Sequence, residues 1–194
     1  NKRWTAIEKN IMLSLVEPHK KSSIELKNKG FNVNEKIFYS KENLDLFYYE
    51  TRKPMCSSIL KPNLKYINNF PEPERFEIQK KVQIKTTTID NEFKSGKVPN
   101  FVKIDTQGSE LEILKGSTNS LKNILGLEIE CEFFQLYENQ PLFSEIKEFL
   151  DKYNFEIIDF LNIYRWERKK NRFTGQPQFS DALFLKKPNL ILSE

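Results

Sequence analysis

An α/β fold, built on a mostly parallel sheet and ending in an antiparallel hairpin, is predicted for this chain by three observations. Short apolar runs of strand length alternate with stretches of helical period, an order that yields a parallel sheet covered on both faces. Residues 101–116, FVKIDTQGSELEILKG, pass from a short buried strand through a polar corner into a helix. Residues 155–164 and 182–185 are strand-like runs on either side of a basic segment, the pattern of a terminal hairpin. A length of 194 residues suits one domain with a sizeable core.

Taken in order, residues 3–10 have the period of the end of an amphipathic helix, with Trp4, Ile7 and Ile11 on one face. Residues 11–16 follow as a buried strand closing on Glu17 and Pro18, and Pro18 suits the first turn of a helix that runs to about Lys29 before Gly30. Residues 31–39 and 44–50 are β-rich, joined by the polar turn Ser40-Lys41-Glu42-Asn43. Residues 51–80 carry Pro54, Pro62, Pro71 and Pro73 and are expected to form a long loop or lid. Residues 82–89 form a Thr-rich strand, 101–104 a short buried one and 125–134 a longer one. Ser109 and Glu112 have capping-box spacing, and Leu111 with Leu114 gives that helix a face to bury. Residues 144–153 are helical, with Ile146, Phe149, Leu150 and Tyr153 together on one side.

Bulk properties exclude more than they assign. The net charge of +4 is modest and spread over many lysines, so nucleic acid is not indicated as a partner. Only residues 165–172, RWERKKNR, concentrate it, either as a solvated hairpin tip or as a contact for an acidic acceptor or a membrane surface. No apolar run approaches the roughly 20 residues of a membrane span. Cys56 and Cys131 stand in dissimilar settings, which favours a reduced, cytoplasmic chain. His19 is the single histidine, so a multi-histidine metal site is ruled out within this chain, and no serine stands in a nucleophile elbow.

Carboxylates at strand ends are the strongest chemical signal. Ligands of open α/β sheets bind at the carboxyl ends of strands, which makes Asp105 and Glu17 site candidates. Glu17 can accept hydrogen bonds from two vicinal ribose hydroxyls, or be an ordinary strand-end acid near a helix N-terminus. Asp105 can orient a substrate, accept a proton or contact a cofactor; alternatively it caps its own helix, a place Ser109 is expected to fill. Glu128, Glu130 and Glu132 alternate along one strand and so share a face, opposite the apolar Leu127, Ile129, Cys131 and Phe133. Several acids in one cleft also raise a divalent metal, although spacing on a strand is not a ligand set.

The run KIDTQGSELEILKG, followed by IECEFFQLYENQPLF, closely resembles the FkbM-type family of S-adenosylmethionine-dependent methyltransferases. The likeness spans about residues 11–186 and is strongest over 101–143; it includes Cys56-Ser57-Ser58-Ile59 and the closing GQPQFSDALFL at 175–185. It implies a class I, Rossmann-like methyltransferase fold, S-adenosylmethionine as cofactor, and O-methylation of a hydroxyl on a sugar or a secondary metabolite. It further implies that Glu17 holds the adenosine ribose, that Ser40 and Glu42 lie near the adenine, and that Asp105 and Gln107 lie on the ligand edge. Turn chemistry alone also accounts for Ser40 and Glu42, and a Ser-rich turn for Ser57 and Ser58. Asp105, with Glu130 and Tyr137 beside it, is the expected catalytic locus; Ser58, Glu132 and Asp181 are expected substrate contacts. No metal ligand set is assigned.

One departure from the family pattern stands out. None of the six glycines lies close enough to another to make the Gly-rich turn after the first strand. A single domain over 1–194, beginning inside the first helix and lacking the first strand, is therefore expected. The rivals are a non-catalytic methyltransferase-like domain that binds a glycan or a partner, and a metal-assisted methyltransferase using the acid cluster.

Overall fold

The structure, a computed structural model, describes residues 11–94, 98–168 and 175–187. The helix expected over residues 3–10 and the tip of the basic segment at 169–172 lie outside the described residues. The chain divides into two compact units, residues 1–37 and 38–194.

The first unit contains a β–α–β element. Strands β1 (Ser14–Val16) and β2 (Asn32–Asn34) pair in parallel, Ser14 opposite Asn32 and Val16 opposite Asn34, with α1 (Lys20–Asn28) between them. Pro18 lies just ahead of α1 rather than in its first turn, because His19 is the N-cap and its ring accepts the Ser22 N–H. The helix ends as Gly30 predicts. Gly30 takes φ +87°, the Gly30 N–H donates to Lys27 O at 2.9 Å and the Phe31 N–H to Leu26 O at 3.2 Å, a Schellman closure that needs a left-handed residue.

The second unit opens on Phe38, the last residue of the two-residue β3 (Ile37–Phe38), and Tyr39 N–H donates to Thr87 O at 2.8 Å. Strands β4 (Asp45–Thr51) and β5 (Ile78–Thr87) form an antiparallel pair bulged at Glu50 and Thr51. The residues between them are not a loose lid. Two 3-10 turns, Pro54–Cys56 and Pro73–Phe76, and the short helix α2 (Leu64–Ile67) order this segment around a small core in which Cys56, Ile67 and Phe76 pack with Leu136 and Tyr137. Backbone bridges from Tyr49 to Ser58 and from Pro62 to Tyr137 tie it down.

A four-stranded sheet carries the main core. Its strands are β6 (Phe101–Ile104), β7 (Gly126–Glu132), β8 (Phe155–Trp166) and β9 (Gln176–Lys186), in the spatial order β6-β7-β9-β8. Only β6 and β7 run parallel in it, since β9 lies between β7 and β8 and pairs antiparallel with both. The expectation of a mostly parallel sheet therefore describes β1–β2 and β6–β7 but not this sheet, where the terminal hairpin adds to β7 through its second strand, β9, and leaves β8 at the edge. Strand β9 also begins six residues earlier than its apolar pattern indicates, because the buried Ser180 and Gln178 find partners: Ser180 Oγ donates to Asn162 O and Gln178 accepts from the Tyr66 hydroxyl.

Helix α3 (Ile89–Glu92) precedes the sheet strands, and α4 (Glu110–Lys115) and α5 (Phe143–Asp151) follow β6 and β7. Ile104, Ile129, Cys131, Ala182 and Phe184 of the sheet pack against Leu111, Ile113 and Leu114 of α4 and Ile146 and Leu150 of α5. Burying such aliphatic side chains stabilises by about 1.5–3 kcal/mol each. The capping box expected at α4 is not made: Ser109 Oγ donates to Thr106 Oγ1 and Glu112 pairs with Lys115, leaving the helix start to Glu110.

Gly116 closes α4 for a steric reason rather than a conformational one. Its φ is an ordinary −81°, but a Cβ there would lie 2.0 Å from the backbone oxygen of Tyr39. Gly116→Ala is expected to destabilise the fold by about 1–3 kcal/mol or more, lowering the urea midpoint without changing the slope. A wild-type midpoint would show that the two segments can part without cost.

Candidate active site

Strand pleating sets the site out in rows on the sheet face opposite α4 and α5. Lys103 lies across from Glu128 in the parallel β6–β7 register, and one step on, Asp105 follows β6 where Glu130 pairs with Asp181 and Asp181 with Asn162. The next row holds Glu132, Phe179 and Tyr164. All these side chains share a face because each is two residues from the last or directly across from it. One oxygen from each of Asp105, Glu130 and Asp181 falls in a group with none farther than 4.8 Å from another.

Lys103 is the counter-ion. Its Nζ donates to Glu128 Oε1 at 2.9 Å and to Asp181 Oδ1 at 3.0 Å, and lies 3.9 Å from Asp105 Oδ2. Burial works against its charge, but the hydrogen bonds to Glu128 and Asp181 outweigh it and push the ammonium up to about 12. Asn162 Nδ2 donates to the other Asp181 oxygen at 3.1 Å. A divalent cation on the three acids would have to compete with Lys103 for Asp181.

Gln107 organises the corner after β6. It takes a left-handed φ of 58°, its carbonyl accepts Ser58 Oγ at 2.6 Å, and its amide group touches Asp105 Oδ1 at 3.3 Å and Glu130 Oε1 at 2.6 Å. The Tyr137 hydroxyl donates to Cys56 O at 2.9 Å and lies 3.1 Å from Gln107 Oε1. A phenol has one proton for those two acceptors. Gln107 Nε2 donates to both Asp105 and Glu130, and a Glu130 that carries a proton on its other oxygen still accepts this bond.

The electrostatics favour that protonated form. Burial first, then the charges of Asp105, Glu110 and Asp181, push Glu130 up to about 8. Glu132, fully buried with neither oxygen in hydrogen-bond geometry, is raised well above the carboxylate range by burial and by Glu110 and Glu130; the Gln140 amide opposes this only weakly. Glu110 is also buried and raised by desolvation, partly offset because it accepts the Thr106 and Gly108 N–H groups and the Thr106 hydroxyl. It, not Asp105 or Ser109, secures the helix start.

The structure thus brings Asp105, Gln107, Glu130, Tyr137, Ser58, Glu132 and Asp181 into one region, as the sequence suggests, but separates their roles. Tyr137, Glu132 and Ser58 are at most 1% exposed, so none of the three side chains is open to solvent in this structure. The acid-bearing face of β7 is likewise buried, as are all seven residues of the strand. Ser40 is not brought to the cluster: its Cα is 3.3 Å from where a Gly116 Cβ would be, at the far end of α4, and the Glu42 turn is tied to Thr86. Glu17 closes β1 and accepts the His19 N–H at 2.8 Å. Lys103, Glu110 and Asn162 escape the sequence reading, although Lys103, two residues before Asp105, is legible by period two.

The family model described as Methyltransferase FkbM domain matches residues 7–157. A stretch of 43 residues is 51% identical to the hexuronic acid methyltransferase AglP of Haloferax volcanii, covering 21% of this chain and 18% of that protein. The chain therefore matches less than a fifth of that relative's length. No solved structure matches. No helix among the described residues is long and apolar enough to cross a membrane.

The raised Glu130 carboxyl has a pH signature. Between the ordinary value of 4.5 and about 8, folding takes up a proton there, so the stability it contributes is complete below 4.5 and is lost as pH rises through 8. Glu130→Gln keeps an acceptor for Gln107 and removes the titration. Its melting temperature relative to wild type should climb from pH 5 to pH 9, and a difference that stays flat would place Glu130 in the ordinary range.

Proposed function

Since the chain belongs to the FkbM methyltransferase family, we propose that it is an S-adenosylmethionine-dependent O-methyltransferase whose acceptor is a sugar hydroxyl. The observation that carries the reading is the Asp105, Glu130 and Asp181 cluster at the carboxyl ends of β6 and β7, with only Asp105 substantially open to solvent. A sugar, rather than a secondary metabolite, is favoured by the relative named for hexuronic acid.

The residues fit the cofactor. Acids outnumber Lys103 around the cluster, which suits a sulfonium cation. In the first unit taken by itself, Glu17 is held by the His19 N–H and keeps acceptor capacity that suits a ribose hydroxyl. S-adenosylmethionine supplies an electrophilic methyl carbon.

The chain's part is alignment and proton removal. Asp105, 41% exposed at its side chain, would accept the proton that the acceptor hydroxyl gives up on methylation. Lys103, 3.9 Å away, and Gln107 keep that carboxylate in place. Glu130, pushed up to about 8, accepts the Gln107 amide N–H and is not a second base near neutral pH. The closeness of the three acids favours a second reading, a metal-assisted transfer, with the same residues as ligands.

Calorimetry with S-adenosylmethionine is expected to show binding, and Glu17→Ala to weaken it by about 1–3 kcal/mol. Asp105→Asn should bind the cofactor as wild type does while turnover drops, because the amide cannot accept the proton. Activity should survive EDTA; loss with chelator and recovery with magnesium would transfer the reading to the metal-assisted one. No cofactor binding at all would leave a non-catalytic, methyltransferase-like domain.

A further inference from the structure

One aromatic side chain beside the acid cluster has no structural task on its outer side. Tyr164 is 43% exposed, although its inner ring face is stacked on Phe179 with centroids 4.6 Å apart and planes 20° apart. Phe179 is in turn edge-on to Trp166 and packs against the small core that holds Tyr137. The ring is thus held from behind and open in front.

Its position relative to the proposed reaction is set by the register. Tyr164 pairs with Phe179 and Asn162 with Asp181, so the ring stands one two-residue step, about 7 Å, along β8 from the row that contains Asp181 and Glu130. Electrostatics agree: after burial, the charges of Asp181 and Glu130 act on its phenol, and those of Lys103 and Asp105 are also felt there. Asn162, exposed and bonded to Asp181, fills the step between ring and acids.

An exposed aromatic face, rigidly backed and bordered on one side by carboxylates and an amide, matches a pyranose. The sugar's C–H-rich face packs on the ring while its hydroxyls turn to the polar row. We propose that Tyr164 is the stacking platform for the acceptor sugar, placing a ring hydroxyl toward Asp105 and Asp181. The assignment rests on the methyltransferase reading for its chemistry but not for its binding, so the two can fail separately.

Saturation-transfer NMR on the full-length protein, with methyl α-D-glucopyranoside and methyl α-D-glucuronide as probes, tests it beside calorimetry with S-adenosylhomocysteine. Tyr164→Phe should bind the probe sugars within about twofold of wild type, and Tyr164→Ala should weaken them by about five- to tenfold, the scale of one aromatic contact. Binding of S-adenosylhomocysteine should be the same in all three, which also shows that the variants fold. Wild-type sugar binding by Tyr164→Ala overturns the platform, as does failure of both glycosides to bind the wild-type protein at millimolar concentration. Equal loss of sugar and S-adenosylhomocysteine in the alanine variant also overturns it, by giving the ring to the cofactor. If sugars depend on Tyr164 while S-adenosylhomocysteine binds none of the proteins, the platform stands and the methyltransferase reading falls.

Discussion

Everything at this site depends on how one ammonium compensates a row of acids on a buried sheet face. Glu128, Glu130, Glu132 and Asp181 are each no more than 7% exposed. Burying an isolated carboxylate costs far more than a protein can spare, so such groups must be paired, hydrogen-bonded or neutral. Lys103 serves Glu128 and Asp181 directly, and Glu130 and Glu132 take the third route by retaining protons. The gradient runs along the strands. The acids paired with Lys103 lie toward one end, and those pushed up by burial lie toward the small core around Tyr137.

That small core explains why a proline-bearing insertion belongs to the site without touching a substrate. Gln107 holds a left-handed backbone that costs roughly 1–2 kcal/mol for a residue with a side chain. It is kept there by Ser58 on its carbonyl and by contacts of its amide with Tyr137 and Glu130. Ser58 is itself fixed by the bridge to Tyr49, and Tyr137 by the bridge to Pro62. Removing the insertion would therefore loosen the Asp105 corner through Gln107, an effect transmitted by positioning residues.

Much of this was legible in the sequence, and the part that was not has a physical reason. The strand–corner–helix at residues 101–116 and the alternation of acids on β7 follow from local period, and both are present. Period two also says that Glu128, Glu130 and Glu132 share a face. It cannot say whether the face is wet, because burial of that face is decided by residues far away in sequence, such as Asp181 on β9. The order β6-β7-β9-β8 is equally non-local: a hairpin pattern is visible in residues 155–185, but not which of its strands meets β7. The exchange of capping roles at α4 turns on competition. Ser109 has the right spacing for a cap, but Glu110 reaches the Thr106 and Gly108 N–H groups and leaves Ser109 to Thr106.

The same environment separates two acids that the sequence alone treats alike. Asp105 and Glu130 share Gln107, yet Glu130 is sealed by the sheet and stands among Asp105, Glu110 and Asp181, whereas Asp105 ends β6 with its side chain half in solvent and Lys103 nearby. Burial and the neighbouring acids push Glu130 up to about 8. In the proposed reaction a proton must leave the acceptor oxygen and must then leave the enzyme. Asp105 meets both needs by its position, since its side chain is 41% exposed and its open edge hands the proton to water. Glu130 accepts the Gln107 Nε2–H and, buried among other acids, favours its protonated form. Its deprotonation as pH rises through about 8 adds charge beside Asp105 on a buried face, so in the proposed reaction this corner suits neutral rather than alkaline conditions.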